Sequence, residues 1–420
     1  MLYERWRQLA RAREGEVALQ ELSSGRQWSF GEMARVVESS PIGDEPVVWP
    51  QGHSAEFIFA VLRAWRSGAV LCPLEPEQSP PAFPVPPAPC RHLKITSATT
   101  GAPRAVAFTE AQLAADADNI VATMRLRPEW PNLGVISMAH SYGFSNLVLP
   151  LLLHGIPLTI VPSPLPEMVR SAAELHPAIT LAAVPALWRA WQETGVIPRH
   201  VRRAISAGAP LPLALERAVF EAAGLKIHNF YGSTECGGIA FDDTDVPRLD
   251  EACVGQPLRN VELKLNDDGC IRVLSRAAGE GYWPDPGPAL GKGGFQTSDL
   301  AEFKGGLVYL LGRLSDQINV AGRKISPATI EQAILEYDSV SECLVFGAPI
   351  DNSDRTEIIV ACVVTSTPLT AASLRQFLLD KLPSWQLPHE WWFVESLAAN
   401  PRGKVSRAEW RRRFLERARG

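Results

Sequence analysis

Four short segments of this 420-residue chain combine residue types that suit phosphate, sugar and metal chemistry. In Ile95-Thr-Ser-Ala-Thr-Thr-Gly-Ala-Pro-Arg-Ala-Val-Ala-Phe108, the hydroxyls of Ser97, Thr99 and Thr100 are donors, Gly101 permits a tight turn with converging N–H groups, and Arg104 adds charge. That is what anionic phosphate oxygens require; the alternative is a Ser/Thr-rich surface turn. In Asn229-Phe-Tyr-Gly-Ser-Thr-Glu-Cys236, Tyr231 offers a flat face to a base, Gly232 lets backbone approach a ligand, and Thr234 can bond a phosphate. Glu235 is a hard oxygen ligand suited to Mg²⁺ on phosphates; the alternative is a strand end with a solvated carboxylate. In the third segment, Gln296-Thr-Ser-Asp-Leu300, Asp299 at a strand start can accept both hydroxyls of a ribose, and Arg313 can reach the same sugar. A turn aspartate and a surface salt bridge explain the same pair equally simply. The fourth, Asn400-Pro-Arg-Gly-Lys404, sets a lysine on a Gly-containing loop, mobile enough to enter a site from outside, or merely solvated.

Composition narrows the classes. Hydrophobic residues make up 46% and charged residues 21%, enough for a large core and against global disorder. The net charge of −5 lacks the basic footprint of a nucleic-acid binder. Seven cysteines, an odd number with no CxxC pair, argue against a disulfide framework or zinc site and fit a reducing cytosol. The first residues, MLYERWRQLARARE, have no signal-peptide core. The apolar stretch 147–161 is broken by Pro150, His154, Gly155 and Pro157, so no membrane span is expected. A cytoplasmic protein follows from these features. The GxxxxGK[ST] loop is absent, since neither Gly291-Lys292 nor Gly403-Lys404 has the upstream glycine.

The elements that must position these segments alternate. Val135–Met138, Leu158–Val161, Thr180–Val184 and Arg203–Ser206 read as buried strands. Between them lie amphipathic patterns such as Ala55–Gly68, whose apolar Phe57, Ile58, Val61, Leu62 and Trp65 share one helix face. Ser29 with Glu32, and Thr109 with Gln112, have capping-box spacing. The result is an α/β class with layered, largely parallel sheets. Eight prolines between Pro73 and Pro89 make an extended connector. After about residue 255, Val261–Leu265, Ile271–Leu274, Leu300–Phe303 and Val308–Leu311 predict a small β-rich subdomain with turns at Asp268-Gly269 and Gly305-Gly306. A compact α+β block follows Gly312: strands near Ile318–Val320, Ile358–Val364 and Trp391–Val394, and helices near Ala371–Leu382 and from Ser326-Pro327. The expected division is a core at 1–312, a hinge at 313–316 and a C-terminal domain at 317–420.

Taken in order, these segments resemble the adenylate-forming superfamily: acyl-CoA synthetases, adenylation domains of peptide synthetases and luciferase. The resemblance rests on the Ser/Thr/Gly phosphate loop, Ser206-Ala-Gly-Ala-Pro-Leu211, Tyr231-Gly-Ser-Thr-Glu235, Thr297-Ser-Asp299 with Gly312-Arg313, and Asn400-Pro-Arg-Gly-Lys404. It also covers Ala69-Val-Leu-Cys-Pro-Leu-Glu-Pro76, and runs from about 55 to 407. It implies a large N-terminal domain and a small mobile C-terminal lid. It further implies ATP and Mg²⁺ as cofactors and two half-reactions: a carboxylic acid becomes an acyl-adenylate with release of pyrophosphate, then passes to a pantetheine thiol. Residue by residue, Ser97, Thr99, Thr100, Gly101 and Arg104 would hold the phosphates. Gly208, Ala209, Asn229, Tyr231, Gly232 and Thr234 would hold the nucleotide, with Asp299 and Arg313 on the ribose. Glu235 would hold the metal, and Lys404 would bridge carboxylate and α-phosphate. This chain departs from the family at Ala98 (usually Gly), at Arg104 (usually Lys) and at the hinge, where Ser315 precedes Asp316. Its N-terminal domain is shorter than usual.

Met138-Ala-His-Ser-Tyr-Gly-Phe144 resembles the acyl-CoA synthetase version of the substrate segment, without the aspartate that holds an amino-acid ammonium. An aryl or fatty acid is therefore expected, with His140 near the carboxylate or gating the pocket, or else a satisfied core histidine. Cys236 reads as a pocket wall. The thiol acceptor is CoA, with an acyl-carrier protein as the alternative. Gly322 would line the pantetheine tunnel, and the arginines of 407–419 would meet CoA phosphates or an acidic carrier, or form a solvated helix face. A non-catalytic adenylate-binding protein is the reading from another class.

Overall fold

The computed structural model describes residues 1–96, 104–320, 322–349, 357–397 and 405–417. The chain divides into two compact units. One comprises Met1–Lys264, Arg272–Thr297 and Phe303–Tyr309; the other comprises Leu265–Ile271, Ser298–Glu302 and Leu310–Gly420.

The first unit is α/β. Its strands run in the spatial order Cys253–Pro257, Gly237–Phe241, Ile227–Ser233, Val201–Ser206, Ile179–Ala183, Asn132–Gly134, Leu158–Ile160, Val17–Glu21 and Arg26–Ser29. From Ile227–Ser233 through to Val17–Glu21 every pairing is parallel. Ile179–Ala183 is buried at every position, as a central parallel strand with both faces covered must be. Helices Pro166–Glu174 and Pro185–Glu193 begin with proline at the first turn, where its missing donor costs nothing. A separate five-stranded sheet runs Gly281–Trp283, Arg104–Phe108, His92–Thr96, Val70–Leu71 and Val47–Val48.

Most local expectations hold. Both capping boxes form, with Ser29 and Thr109 as caps. Helix Ala55–Ser67 buries Phe57, Ile58, Val61, Leu62 and Trp65 and ends at Gly68 in the left-handed conformation. No helix or strand lies between Leu71 and His92. One strand is displaced: Val135–Met138 was the expected run, but the paired residues are Asn132–Gly134. Asn132 is tolerated in this buried strand because its amide donates to the Asn146 carbonyl at 3.1 Å.

The second unit carries a three-stranded sheet. Val340–Pro349 and Glu357–Thr365 pair antiparallel, and Glu390–Phe393 joins in parallel. Alternate residues feed two cores. Val345, Ile359, Ala361 and Val363 pack with Ile330, Ile334, Leu374 and Leu378. Phe346, Val360 and Cys362 pack with Trp410 of the last helix, Arg407–Arg417. Pro327 does start a helix, Pro327–Leu335, but Ser326 makes no side-chain cap bond. The long strand Val340–Pro349 was not among the expected elements. Among the described residues no helix is long and apolar enough to cross a membrane.

Candidate functional site

In an open parallel sheet, ligands sit beyond the carboxyl ends of the strands. At that edge of the first unit, Ala183 and Ser206 end neighbouring strands, and Ser206 pairs with Asn229 of Ile227–Ser233, which runs on beyond them. The chain then turns through Gly208, whose φ of +88° favours glycine, and half-buried Ala209. Asn229 is buried, and its amide donates to the Cys253 carbonyl at 3.3 Å. Tyr142 arrives at the same edge. Its buried hydroxyl lies 3.3 Å from the Ala183 carbonyl and 3.4 Å from that of Ile205, and its ring sits 6.0 Å from that of Phe230. Desolvation pushes its phenol well above the ordinary value. Two residues earlier, His140 opens a short helical turn, Nδ1 accepting the Tyr142 N–H at 3.3 Å. A π-helical turn, Phe144–Val148, follows.

Ile227–Ser233 runs out into a hairpin with Gly237–Phe241, and Thr234, Glu235 and Cys236 form its turn. Gly232 is needed for close approach, since a Cβ there would meet the Gly237 carbonyl oxygen at 2.7 Å. Tyr231, Thr234 and Glu235 are half-exposed, whereas Cys236 is fully buried. Burial pushes the Cys236 thiol far up, so it is a poor nucleophile.

Arg104 and Glu235, separated by 131 positions in sequence, meet through a residue with no local sequence signature. Strand Gly281–Trp283 pairs with Arg104–Phe108. It aims Tyr282 so that its hydroxyl donates to Glu235 Oε1 at 3.2 Å, while the Arg104 guanidinium lies 3.8 Å from its ring centroid. Burial first, and the Glu235 carboxylate second, push the Tyr282 phenol well up. The phenol therefore stays a donor at any working pH. No group of three or more metal-ligating side chains occurs among the described residues. A half-exposed carboxylate such as Glu235 nonetheless suits Mg²⁺, which is commonly held by one or two carboxylates plus substrate phosphates.

In the second unit, Asp299 and Arg313 come together: Arg313 Nε donates to Asp299 Oδ1 at 2.8 Å. Asp299 is mostly buried and Arg313 mostly exposed. Leu314–Asp316 then forms a single 3₁₀ turn. Arg407 binds Asp316 at 3.0 Å, Glu331 at 2.6 Å and the Val345 carbonyl at 3.1 Å. Gly322 occupies the hairpin turn between Ile318–Val320 and Arg323–Ile325 with φ of +83°, so the turn itself demands glycine. Ser97, Thr99, Thr100 and Gly101 of the expected phosphate loop, and Lys404, lie outside the described residues. The strands flanking that loop hold Thr96 opposite Arg104, the Thr96 hydroxyl donating to the Arg104 carbonyl at 3.1 Å.

The AMP-binding enzyme family matches residues 92–287, and the AMP-binding enzyme C-terminal domain matches residues 329–404. The chain belongs to this family of AMP-binding enzymes. It is similar to the 2-succinylbenzoate–CoA ligase of Bacillus cereus, 28% identical over 336 residues that cover 75% of this chain and 68% of the relative. It is also similar to a feruloyl-CoA synthase of Amycolatopsis, 26% identical over 343 residues, 77% of this chain and 69% of the relative. The ATP-bound structure of MatB from Rhodopseudomonas palustris superposes with a TM-score of 0.85 at 21% identity, covering 98% of each chain. That likeness establishes the shared α/β fold.

Proposed function

We propose that the protein activates a carboxylic acid with ATP and passes the acyl group to CoA. The observation that carries this reading is the alignment of Arg104, Tyr282 and Glu235, which ties the strand leaving the phosphate loop to the hairpin bearing the metal-binding carboxylate. The family match and the CoA-ligase relatives support the same chemistry. An aryl or aliphatic acid fits best. The substrate segment around His140 offers no carboxylate to hold an ammonium, and an unpaired ammonium in an apolar pocket is costly.

A carboxylate oxygen attacks the α-phosphorus, its bond to the pyrophosphate oxygen breaks, and an acyl-adenylate forms. The CoA sulfur then attacks the acyl carbon, its proton passes to solvent, and AMP leaves with the bonding pair. No enzyme nucleophile is needed, so positioning and charge stabilisation supply the catalysis. Glu235 would hold Mg²⁺, which neutralises phosphate charge when bound. Arg104, with Ser97, Thr99, Thr100 and Gly101, would hold the β- and γ-phosphates. Gly208, Ala209, Asn229, Tyr231, Gly232 and Thr234 would hold the rest of the nucleotide. Asp299 and Arg313 would take the ribose hydroxyls, with Lys404 on the forming anhydride and His140 beside the carboxylate. The 313–316 segment would be the hinge between core and C-terminal domain. Acid-dependent exchange of labelled pyrophosphate into ATP, scanned over aryl and fatty acids, tests the reading. Exchange with at least one acid, followed by CoA-dependent thioester formation, is the expected result. AMP binding with no exchange for any acid would overturn it in favour of a non-catalytic binder.

A further inference from the structure

Beneath the hairpin that carries Glu235 lies a buried polar cluster that the mechanism above does not use. Lys94 and Asp116 are each 3% exposed, with Nζ 3.7 Å from Asp116 Oδ2. The Ser145 hydroxyl accepts from Lys94 Nζ at 3.1 Å and donates to Asp116 Oδ2 at 2.6 Å. The other oxygen, Asp116 Oδ1, accepts the Gly238 backbone N–H at 3.2 Å. Lys94 also rests on the ring of Phe108, 4.8 Å from its centroid. The four polar partners come from four separate segments. Lys94 is on the strand that enters the phosphate loop, and Asp116 is on helix Glu110–Met124. Ser145 is in the π-helical turn that continues the His140 segment, and Gly238 is on the hairpin three residues beyond Glu235.

Such a cluster has a cost. Burial lowers the Lys94 ammonium below its usual pKa, and a buried ion pair is commonly no more stabilising than apolar residues of the same volume. What it supplies here is directional. Asp116 has oxygens fixed on two sides, one gripping the hairpin backbone and the other gripping the π-helical turn. The hairpin backbone also lies directly on this carboxylate, since a Cβ on Gly237 would fall 2.0 Å from Asp116 Oδ1.

We infer that Asp116, held by Lys94 and Ser145, is a positioning residue that fixes the Glu235 hairpin relative to the phosphate-loop strand and the His140 segment. Its kinetic consequence rests on the adenylation reading above; its mechanical consequence does not. Two neutral pairs separate hydrogen bonding from charge and volume. Lys94→Met with Asp116→Leu keeps the bulk and removes the acceptors. Lys94→Met with Asp116→Asn keeps an acceptor for Gly238 and a partner for Ser145.

Hydrogen exchange of the peptide 231–241 is the first measurement. The leucine pair should exchange about tenfold or more faster than wild type, and the asparagine pair close to wild type, as a lost backbone bond to a buried acceptor requires. In pyrophosphate exchange, the leucine pair should lose roughly 10- to 100-fold in kcat with KM for MgATP changed less than about threefold, and the asparagine pair should recover most of that loss. Equal protection of the hairpin in both pairs, or kcat that simply follows the unfolding midpoint, overturns the inference. If the leucine pair does not fold, Ser145→Ala serves, with unchanged hairpin exchange and unchanged kcat counting against it. A wild-type protein that exchanges pyrophosphate with no acid refutes the adenylation reading alone, because the hydrogen-exchange comparison still decides the role of Asp116.

Discussion

The Tyr282 hydroxyl donates to Glu235 Oε1 across 3.2 Å, so the carboxylate assigned to the metal is aimed by a side chain 47 residues further along the chain. Tyr282→Phe removes one donor to a half-exposed carboxylate and should lower kcat/KM for MgATP about fivefold, near 1 kcal/mol. Glu235→Gln removes the ligand itself and should cost about 10²–10³ in pyrophosphate exchange, with a raised Mg²⁺ requirement. Exchange rates measured across a magnesium titration check both. A Tyr282→Phe effect larger than that of Glu235→Gln would reverse the proposed roles.

Asp299 is held by Arg313 at 2.8 Å, which orients its side chain. If it reads the ribose, wild type should prefer ATP over 2′,3′-dideoxy-ATP by roughly 10²-fold, since an acceptor built for hydroxyls rejects a ligand that lacks them. Asp299→Asn should shrink that preference about tenfold. The ratio of the two KM values is the readout, and an undiminished ratio removes Asp299 from the ribose site.

Lys404→Ala should slow adenylation by about 10²–10³, the loss typical of one preorganised donor. Single-turnover measurement of acyl-adenylate formation is the check. A near-wild-type rate would leave Lys404 as one more solvated lysine.

His228 gives a pH signature. Burial, followed by the Arg203 charge, depresses its pKa to about 4. Its Nδ1–H donates to the Asp242 carbonyl at 2.9 Å, and Nε2 accepts from Arg203 at 3.1 Å. The folded state therefore prefers the neutral ring, while the unfolded chain binds a proton near 6.5. This contribution is complete above about pH 6.5 and is lost as the pH falls towards about 4, up to ~3 kcal/mol in all. Denaturant midpoints from pH 7 to 4.5 should fall less steeply for His228→Asn than for wild type. Parallel slopes would show that the ring does not carry the effect.

Arg407 joins Asp316, Glu331 and the Val345 carbonyl within the second unit. Arg407→Ala should destabilise by about 2 kcal/mol, between the values for exposed and fully buried pairs. Arg407→Lys should recover only part, because one ammonium cannot match the guanidinium fork. Urea midpoints distinguish the two, and identical midpoints for both variants would contradict the forked geometry.

The parts that were legible in the sequence are those whose logic is local or periodic. Ser29/Glu32 and Thr109/Gln112 are three apart because a helix start puts their partners three apart, and both boxes form. Asp299 and Arg313 share a segment short enough for their approach to be foreseen. Val340–Pro349 escaped notice because a strand buried on both faces does not alternate polar with apolar, and Gly347 and Pro349 resemble punctuation. Val135–Met138 looked more strand-like than Asn132–Gly134, whose asparagine is made tolerable by a carbonyl fourteen residues away. Tyr282, Lys94, Asp116 and Ser145 carry no local signature at all. Their hydrogen-bond partners lie 29 to 122 residues off, and only the fold brings them together.

The close seat of Gly237 on Asp116 constrains any redesign of this enzyme. With its φ of +70° and the carboxylate directly beneath it, position 237 has no room for a side chain while position 116 remains acidic. Anyone diversifying the residues after Glu235 in search of new substrates should leave 237 untouched, or randomise 116 and 237 as one coupled library.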